Sequence, residues 1–235
     1  MVDHLMIVTD VTLFNDIYCV AGWDVGLKRM IRPEPPNTKA NSVAERFWPL
    51  ACVGAGKIFS VGNLVKFVGD PAPQGFAYPH ATEDVVVRPK TNIQVVDQLS
   101  LRDTANAVVQ GISKSIADVY DNQLIRYGTG TAYVPNGSQS RSLGALEIAP
   151  DQIVLHVGGT DAKPKLRAML DVGNVSYDLS VPAVDARDGW LAKGITAFGK
   201  DVAGSNKIHL RLGLSRPWPM RPNECFAQVN GLYLL

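Results

Sequence analysis

Residues 208–215 read IHLRLGLS, and beyond a Pro-rich loop residues 224–235 read ECFAQVNGLYLL. Strict alternation in the first run places Ile208, Leu210, Leu212 and Leu214 on one face of a strand and His209, Arg211, Gly213 and Ser215 on the other. One face is then core and the other a rigid cationic surface, with Gly213 leaving a flat spot where a phosphate or a base can approach. The second run is too apolar to be left exposed, so it is expected to be an integral strand of a sheet. Asn230 and Gly231 inside it are poor strand formers, and a bulge that bends the strand to close a barrel accounts for both.

Working outward, Ile153, Leu155 and Val157 alternate, and strand-like runs at 165–170 and 175–181 flank the turn signal Asp171-Val172-Gly173-Asn174. These read as a meander of short antiparallel strands. Residues 127–144, YGTGTAYVPNGSQSRSLG, have little periodicity and read as a mobile loop or irregular hairpin. Before them Ser100 and Asp103 open a helix whose apolar stripe runs from Leu101 to Tyr120, about five turns long. Gly111 and Ser113 weaken its middle, so two shorter helices are the alternative. Strand-length runs recur at 6–8, 17–23, 30–33 and 61–68, with room for a helical turn or two at 41–48. The Pro-rich turn at 70–80 closes this first part.

The sequence therefore reads as mainly β with an intervening helical segment. An N-terminal β module covers 1–95, a helical segment and flexible loop 96–145, and a C-terminal β module 146–235. Each β-rich half, at about 90 residues, suits a small five-stranded barrel of the OB kind; one larger barrel with an inserted helix is the competing architecture.

A hydrophobic content of 46% is enough for sizeable cores, and the net charge of +1 rules out a global field that would draw the chain to polyanions, so any such site is a local patch. Three scattered cysteines, Cys19, Cys52 and Cys225, fit reduced, buried thiols and a cytoplasmic location. No basic leader and no membrane-length apolar run is present, so no membrane partner is expected.

Arg216 and Arg221 beside Trp218 extend the His209–Arg211 face, since guanidinium and indole together grip a phosphate and stack a base. The plainer reading has those arginines solvated or paired to carboxylates. His156, Gly158 and Gly159 with Lys163, Lys165 and Arg167 form either a small anion site or an ordinary turn with a cationic face. His80, Glu83 and Asp84 are the right types for a metal or for acid–base chemistry, but their spacing matches no ligand motif. They read better as a hinge that satisfies turn backbone and an inter-domain arginine such as Arg32.

Blocks in a fixed order span nearly the whole chain: TDVT at 9–12, AGWD at 21–24, IRP at 31–33, PHATED at 79–84, LHVGG at 155–159, YDLSV at 177–181, HLRLGLSRPW at 209–218 and QVNGLYLL at 228–235. Together they resemble the bacterial dual OB-fold domain proteins. The resemblance implies two OB-like folds and a nucleic-acid- or nucleotide-binding role in prokaryotic conflict systems.

The expectation is a non-catalytic module that needs no cofactor and no metal and binds nucleic acid or a nucleotide through Arg32, His156, His209, Arg211, Arg216 and Trp218. A protein-interaction adaptor in a defence complex is the alternative, and a hydrolase built on His80, Glu83 and Asp84 ranks last.

Overall fold

The computed structural model describes residues 2–14, 16–36, 44–73, 75–90, 92–128 and 130–235. Strands β1 (Val2–Phe14), β2 (Ile17–Asp24), β3 (Arg29–Glu34), β4 (Asn63–Pro71), β5 (Asp84–Val87) and β6 (Gln94–Gln98) make the first sheet. It runs β1-β2-β3-β5-β4 and closes on itself through β4–β1, with β3 and β5 parallel and β6 added beside β4. This is a five-stranded Greek-key barrel of the OB kind. Closure is possible because β1 bends. Its register slips between Val8 and Asp10, so residues 2–7 pair with β4 while residues from Met6 onward pair with β2. Met6, Val8, Ile31, Phe59, Val65 and Phe67 fill the interior.

The second sheet contains β7 (Ile125–Tyr127), β8 (Thr131–Pro135), β9 (Leu143–Ile148), β10 (Ile153–Thr160), β11 (Lys163–Val172), β12 (Val175–Ser180), β13 (Ile208–Leu214) and β14 (Glu224–Leu234). Its order, β10-β11-β12-β14-β13-β9, repeats the first barrel, with β12 and β14 again the parallel pair. Here the first strand is split: β9 pairs with β13 and β10 with β11, and the turn at Pro150–Gln152 replaces the bend of β1. The β7–β8 hairpin, where a loop or irregular hairpin was expected, lies against β14, and the backbone N–H of Asp178 donates to Gly130 O. Gly173 and Asn174 both take positive φ in the β11–β12 turn, as its sequence requires.

The helical segment follows the shorter of its two alternatives: α1 (Leu101–Ala107), a 3₁₀ turn at Val109–Gly111 and α2 (Ile116–Val119). Ser100 caps α1 by accepting from the Asp103 N–H at 3.1 Å. The helix breaks because Ser113 N–H donates to Ala145 O at 2.8 Å, outside the helix. Two further helices, α3 (Val184–Lys193) and α4 (Ile195–Ala203), lie between β12 and β13, where only strands were expected. They bury the i, i+4 pairs Ala186/Trp190 and Phe198/Val202 against the second core. Of the expected turn at 41–48, residues 44–46 form a 3₁₀ turn, and 41–43 lie outside the described residues. Among the described residues no helix is long and apolar enough to cross a membrane.

The two barrels keep separate cores and meet at an apolar junction. Ala21, Trp23, Met30, Val108 and Leu143 form one apolar cluster drawn from both halves and the segment between them. Leu13 N–H donates to Pro182 O at 3.0 Å, and the Tyr233 hydroxyl donates to Thr9 O.

This docking overturns the two-faced reading of β13, because all seven of its residues are buried. Arg211, 1% exposed, points toward the first barrel, donating to Met30 Sδ at 2.9 Å and reaching Asp10 Oδ2 at 3.4 Å. His209, 0% exposed, stacks on Tyr233. The flat spot expected at Gly213 is filled by Asn230, whose amide nitrogen lies 2.0 Å from where a Cβ would sit. Asn230 is itself the extra residue of the bulge expected in β14: Arg211 faces Gly231, and Leu212 faces Val229.

Candidate nucleic-acid interface

β3 and β5 run parallel with Arg32 opposite Asp84, and this register brings charges together where the barrels meet. Arg32 donates to Asp84 Oδ1 at 2.7 Å and to Ser142 Oγ at 2.9 Å. Arg216 crosses from the β13–β14 loop to grip both oxygens of Asp84 at 2.9 Å each, and it also reaches Glu34. Arg46 lies 3.3 Å from both Glu34 and Asp84. Glu83 accepts from Ser142 N–H and Oγ, each at 2.8 Å. Three guanidiniums thus converge on two carboxylates, Glu34 and Asp84, away from water, and removing one partner of such a buried set is costly.

Arg32 is 3% exposed and Arg216 retains 15% of its side-chain surface, so both expected ligand contacts are spent on this junction. The PHATED block makes the contacts with turn backbone and with Arg32 that its sequence reading expected. Arg32 N–H donates to Glu83 O, Arg32 pairs with Asp84, and His80 Nε2 contacts Leu214 O at 3.2 Å across the junction. Burial, and the nearby Arg216 and Arg32, hold the His80 pKa well below the usual range. Burial and the adjacent Asp84 push Glu34 up to about 7, whereas Arg216 and Arg32 outweigh burial at Asp84 and hold it low. Another buried histidine contact, His4 Nδ1 to Asp24 Oδ2 at 2.6 Å, lies under Phe67. Among the described residues no group of three His, Cys, Asp or Glu side chains is placed to hold a metal.

The two barrels differ in what covers the face that OB folds use for ligands, strands two and three with the loops joining strands one to two and four to five. In the first barrel β3 faces the junction, with Met30 to Glu34 buried. In the second that face is open. β11 turns Lys165, Arg167 and Met169 outward while Leu166, Ala168 and Leu170 enter the core. β12 turns out Ser176, Asp178 and Ser180. Above them projects the β10–β11 hairpin, with exposed Gly159 to Lys165 at its tip. The β13–β14 loop carries Trp218, 54% exposed, and Met220, 78% exposed.

Three rings continue this face across the added hairpin. Tyr133 lies between Tyr127 and Phe226, with centroid separations of 5.7 and 6.2 Å. Their neighbours Ala132, Val134, Cys225 and Ala227 are buried, so the same alternation that builds the core presents the aromatics outward.

Of the six expected contacts, only His156 on β10 and Trp218 in the β13–β14 loop keep a substantial exposed surface. His156 Nε2 lies 3.0 Å from Asp178 Oδ1, the oxygen to which Arg167 Nε donates at 2.9 Å, so the imidazole and the guanidinium share one carboxylate. Lys163 and Lys165 at the hairpin tip make no ion pair among the described residues. The sequence reading missed the three rings because 127–144 has no long periodicity; the signal was the short alternation TAYVP and ECFAQ.

Comparison with curated proteins and with solved structures gave no match. The model of one family, described as the dual OB-containing domain, matches residues 5–232. With two barrels of the same strand order inside that span, the chain belongs to the dual OB-containing domain family.

Proposed function

We propose that the second barrel binds single-stranded nucleic acid across this open face, without catalysing a reaction on it. The observation that carries the reading is the row Tyr127, Tyr133 and Phe226 on a barrel that also carries exposed Trp218 and exposed Lys163 and Lys165, the two lysines making no ion pair among the described residues. Aromatic rings on such a face offer bases stacking platforms whatever their sequence, and the lysines track the phosphates. The net charge of +1 suits a confined groove rather than a basic coat. A cytoplasmic location, which free thiols favour, and a part in a prokaryotic defence system belong to the same proposal.

The test is fluorescence anisotropy of labelled single-stranded and duplex DNA and RNA over a salt series. Binding should prefer single strands. A Tyr133→Ala/Trp218→Ala variant should weaken it by at least tenfold, given about 1–3 kcal/mol per stacked base. Lys163→Ala/Lys165→Ala should lower the salt slope by about 1–2. If none of the four nucleic acids binds at low salt, the reading fails and the exposed face becomes a surface for a protein partner.

A further inference from the structure

A free strand edge lies at the margin of the second barrel. β10 pairs with β11 along its whole length, from Ile153–Leu170 to Thr160–Lys163, and its other edge pairs with nothing among the described residues. The first barrel holds the matching edge in a covered form. Phe14 pairs with Ile17 as Thr160 pairs with Lys163, so Thr12 corresponds to Gly158. Thr12 pairs with Cys19 of β2 on one side and with Ala183 on the other, next to the bond from Leu13 N–H to Pro182 O. The extended segment that follows β12 thus covers the edge of β1, whereas the same edge of β10 is bare. Nothing on β10 blunts it: the strand has eight residues, without proline, lysine or acid, and its pairing is regular. The end strand of the first sheet, β6, by contrast has five residues, carries Asp97 and pairs with a slipped register. On the core side Val157, opposite buried Leu166, is still 44% exposed, and Val154 on the outer side is 61% exposed.

We infer that this edge takes up an extended segment of a partner protein in which apolar residues alternate with acidic ones. An added strand stands one spacing, about 4.8 Å, from β10 and bonds to its free backbone groups. Side chains on its core side complete the margin at Leu155 and Val157, and those on its outer side lean toward Lys163 and Lys165. These two lysines are exposed, stand on β11 opposite Thr160 and Gly158, and make no ion pair among the described residues. Asp161 is the one acid at the hairpin tip. A second copy of the chain pairing through this edge would bring a second set of the same lysines to the same face, so charge favours an acidic partner. The inference does not rest on oligonucleotide binding, although Lys163 and Lys165 serve either ligand.

Fluorescence anisotropy of a labelled VEVEVEV peptide with the full chain tests this. The peptide should bind. EEEVVVV, of like composition but without alternation, and VKVKVKV, of opposite charge, should each bind at least tenfold more weakly. N-methylation of alternate backbone amides keeps every side chain and charge, and should cost as much, because only strand pairing is lost. Val157→Lys and, separately, Val154→Lys, both at exposed positions, should weaken the peptide at least tenfold in spite of the added positive charge, and should leave single-stranded DNA binding undiminished. Tyr133→Ala/Trp218→Ala should leave the peptide unchanged. No VEVEVEV binding at millimolar concentration overturns the inference. So does equal binding of EEEVVVV or of the N-methylated peptide, or loss of the peptide in the Tyr133/Trp218 variant. A Val157→Lys effect on single-stranded DNA in place of the peptide also overturns it, as does a dimer of the parent chain in sedimentation that Val157→Lys abolishes, since the edge would then serve nucleic acid or a second copy.

Discussion

Replacing Arg216 by alanine removes both hydrogen bonds to Asp84 and the contact with Glu34, leaving two carboxylates whose side chains are 0% exposed. Arg32 and Arg46 remain but cannot both serve these acids, since Arg46 stands off at 3.3 Å. Breaking a buried pair from one side costs about 3–5 kcal/mol. Arg216 keeps 15% of its side chain in water, so the expected loss lies near the lower limit, about 3 kcal/mol. In urea, with a slope of about 3 kcal/mol/M, the unfolding midpoint followed by tryptophan fluorescence should fall by about 1 M. Arg216→Met, which keeps the apolar stem without the charge, should lose nearly as much. Arg126→Ala, on an exposed residue, should stay within about 0.5 kcal/mol of the parent. A loss below about 0.5 kcal/mol for Arg216→Ala would refute the reasoning, because the carboxylates would then be satisfied without it.

The raised Glu34 pKa means the folded state holds a proton that the unfolded chain has released, so this contribution is lost as pH rises toward about 7. Glu34→Gln should therefore gain on the parent by about 2 kcal/mol between pH 5.5 and 8 in urea unfolding, and a constant difference would count against a protonated Glu34. His209 has the opposite sign: burial and Arg211 depress it to about 4, so the unfolded chain takes up a proton first and stability falls as pH drops below about 6.5. His209→Phe should flatten that acid limb by about 3 kcal/mol, and an unchanged limb would mean His209 is not held neutral. A Cβ at Gly22 would lie 2.2 Å from Ile7 O, a backbone atom, so Gly22→Ala should cost about 3 kcal/mol. Gly199, inside α4 with nothing within 4 Å, should instead gain about 0.5–1 kcal/mol on replacement by alanine. Thermal melts of the pair check both signs.

Local chemistry was readable in the sequence wherever a residue's role depends on its neighbours in the chain. The Ser100 cap, the bulge at Asn230 and the contact of Asp84 with Arg32 all follow from such signals. What the sequence hid is what covers a strand. His209 and Arg211 alternate with leucines as an exposed cationic face would, yet a second barrel sits on them, and no period of two distinguishes solvent from another domain. α3 escaped notice because its polar residues surround a single buried i, i+4 pair and Gly189 interrupts it. The aromatic row was concealed in strands of three and five residues, too short for alternation to stand out from a loop.

The bend in β1 has a consequence for how the chain reaches this structure. Asp10 meets Arg211 across 201 positions, and Thr9 meets Tyr233 across 224. As the polypeptide leaves the ribosome, its earliest strand must therefore wait for β13 and β14 before its outward side is covered. Such distant pairing slows the search for the native state and prolongs the exposure of sticky intermediates. Cutting the chain between the barrels would make that waiting state permanent, so each half made alone should be prone to aggregate even though its own strand order is complete.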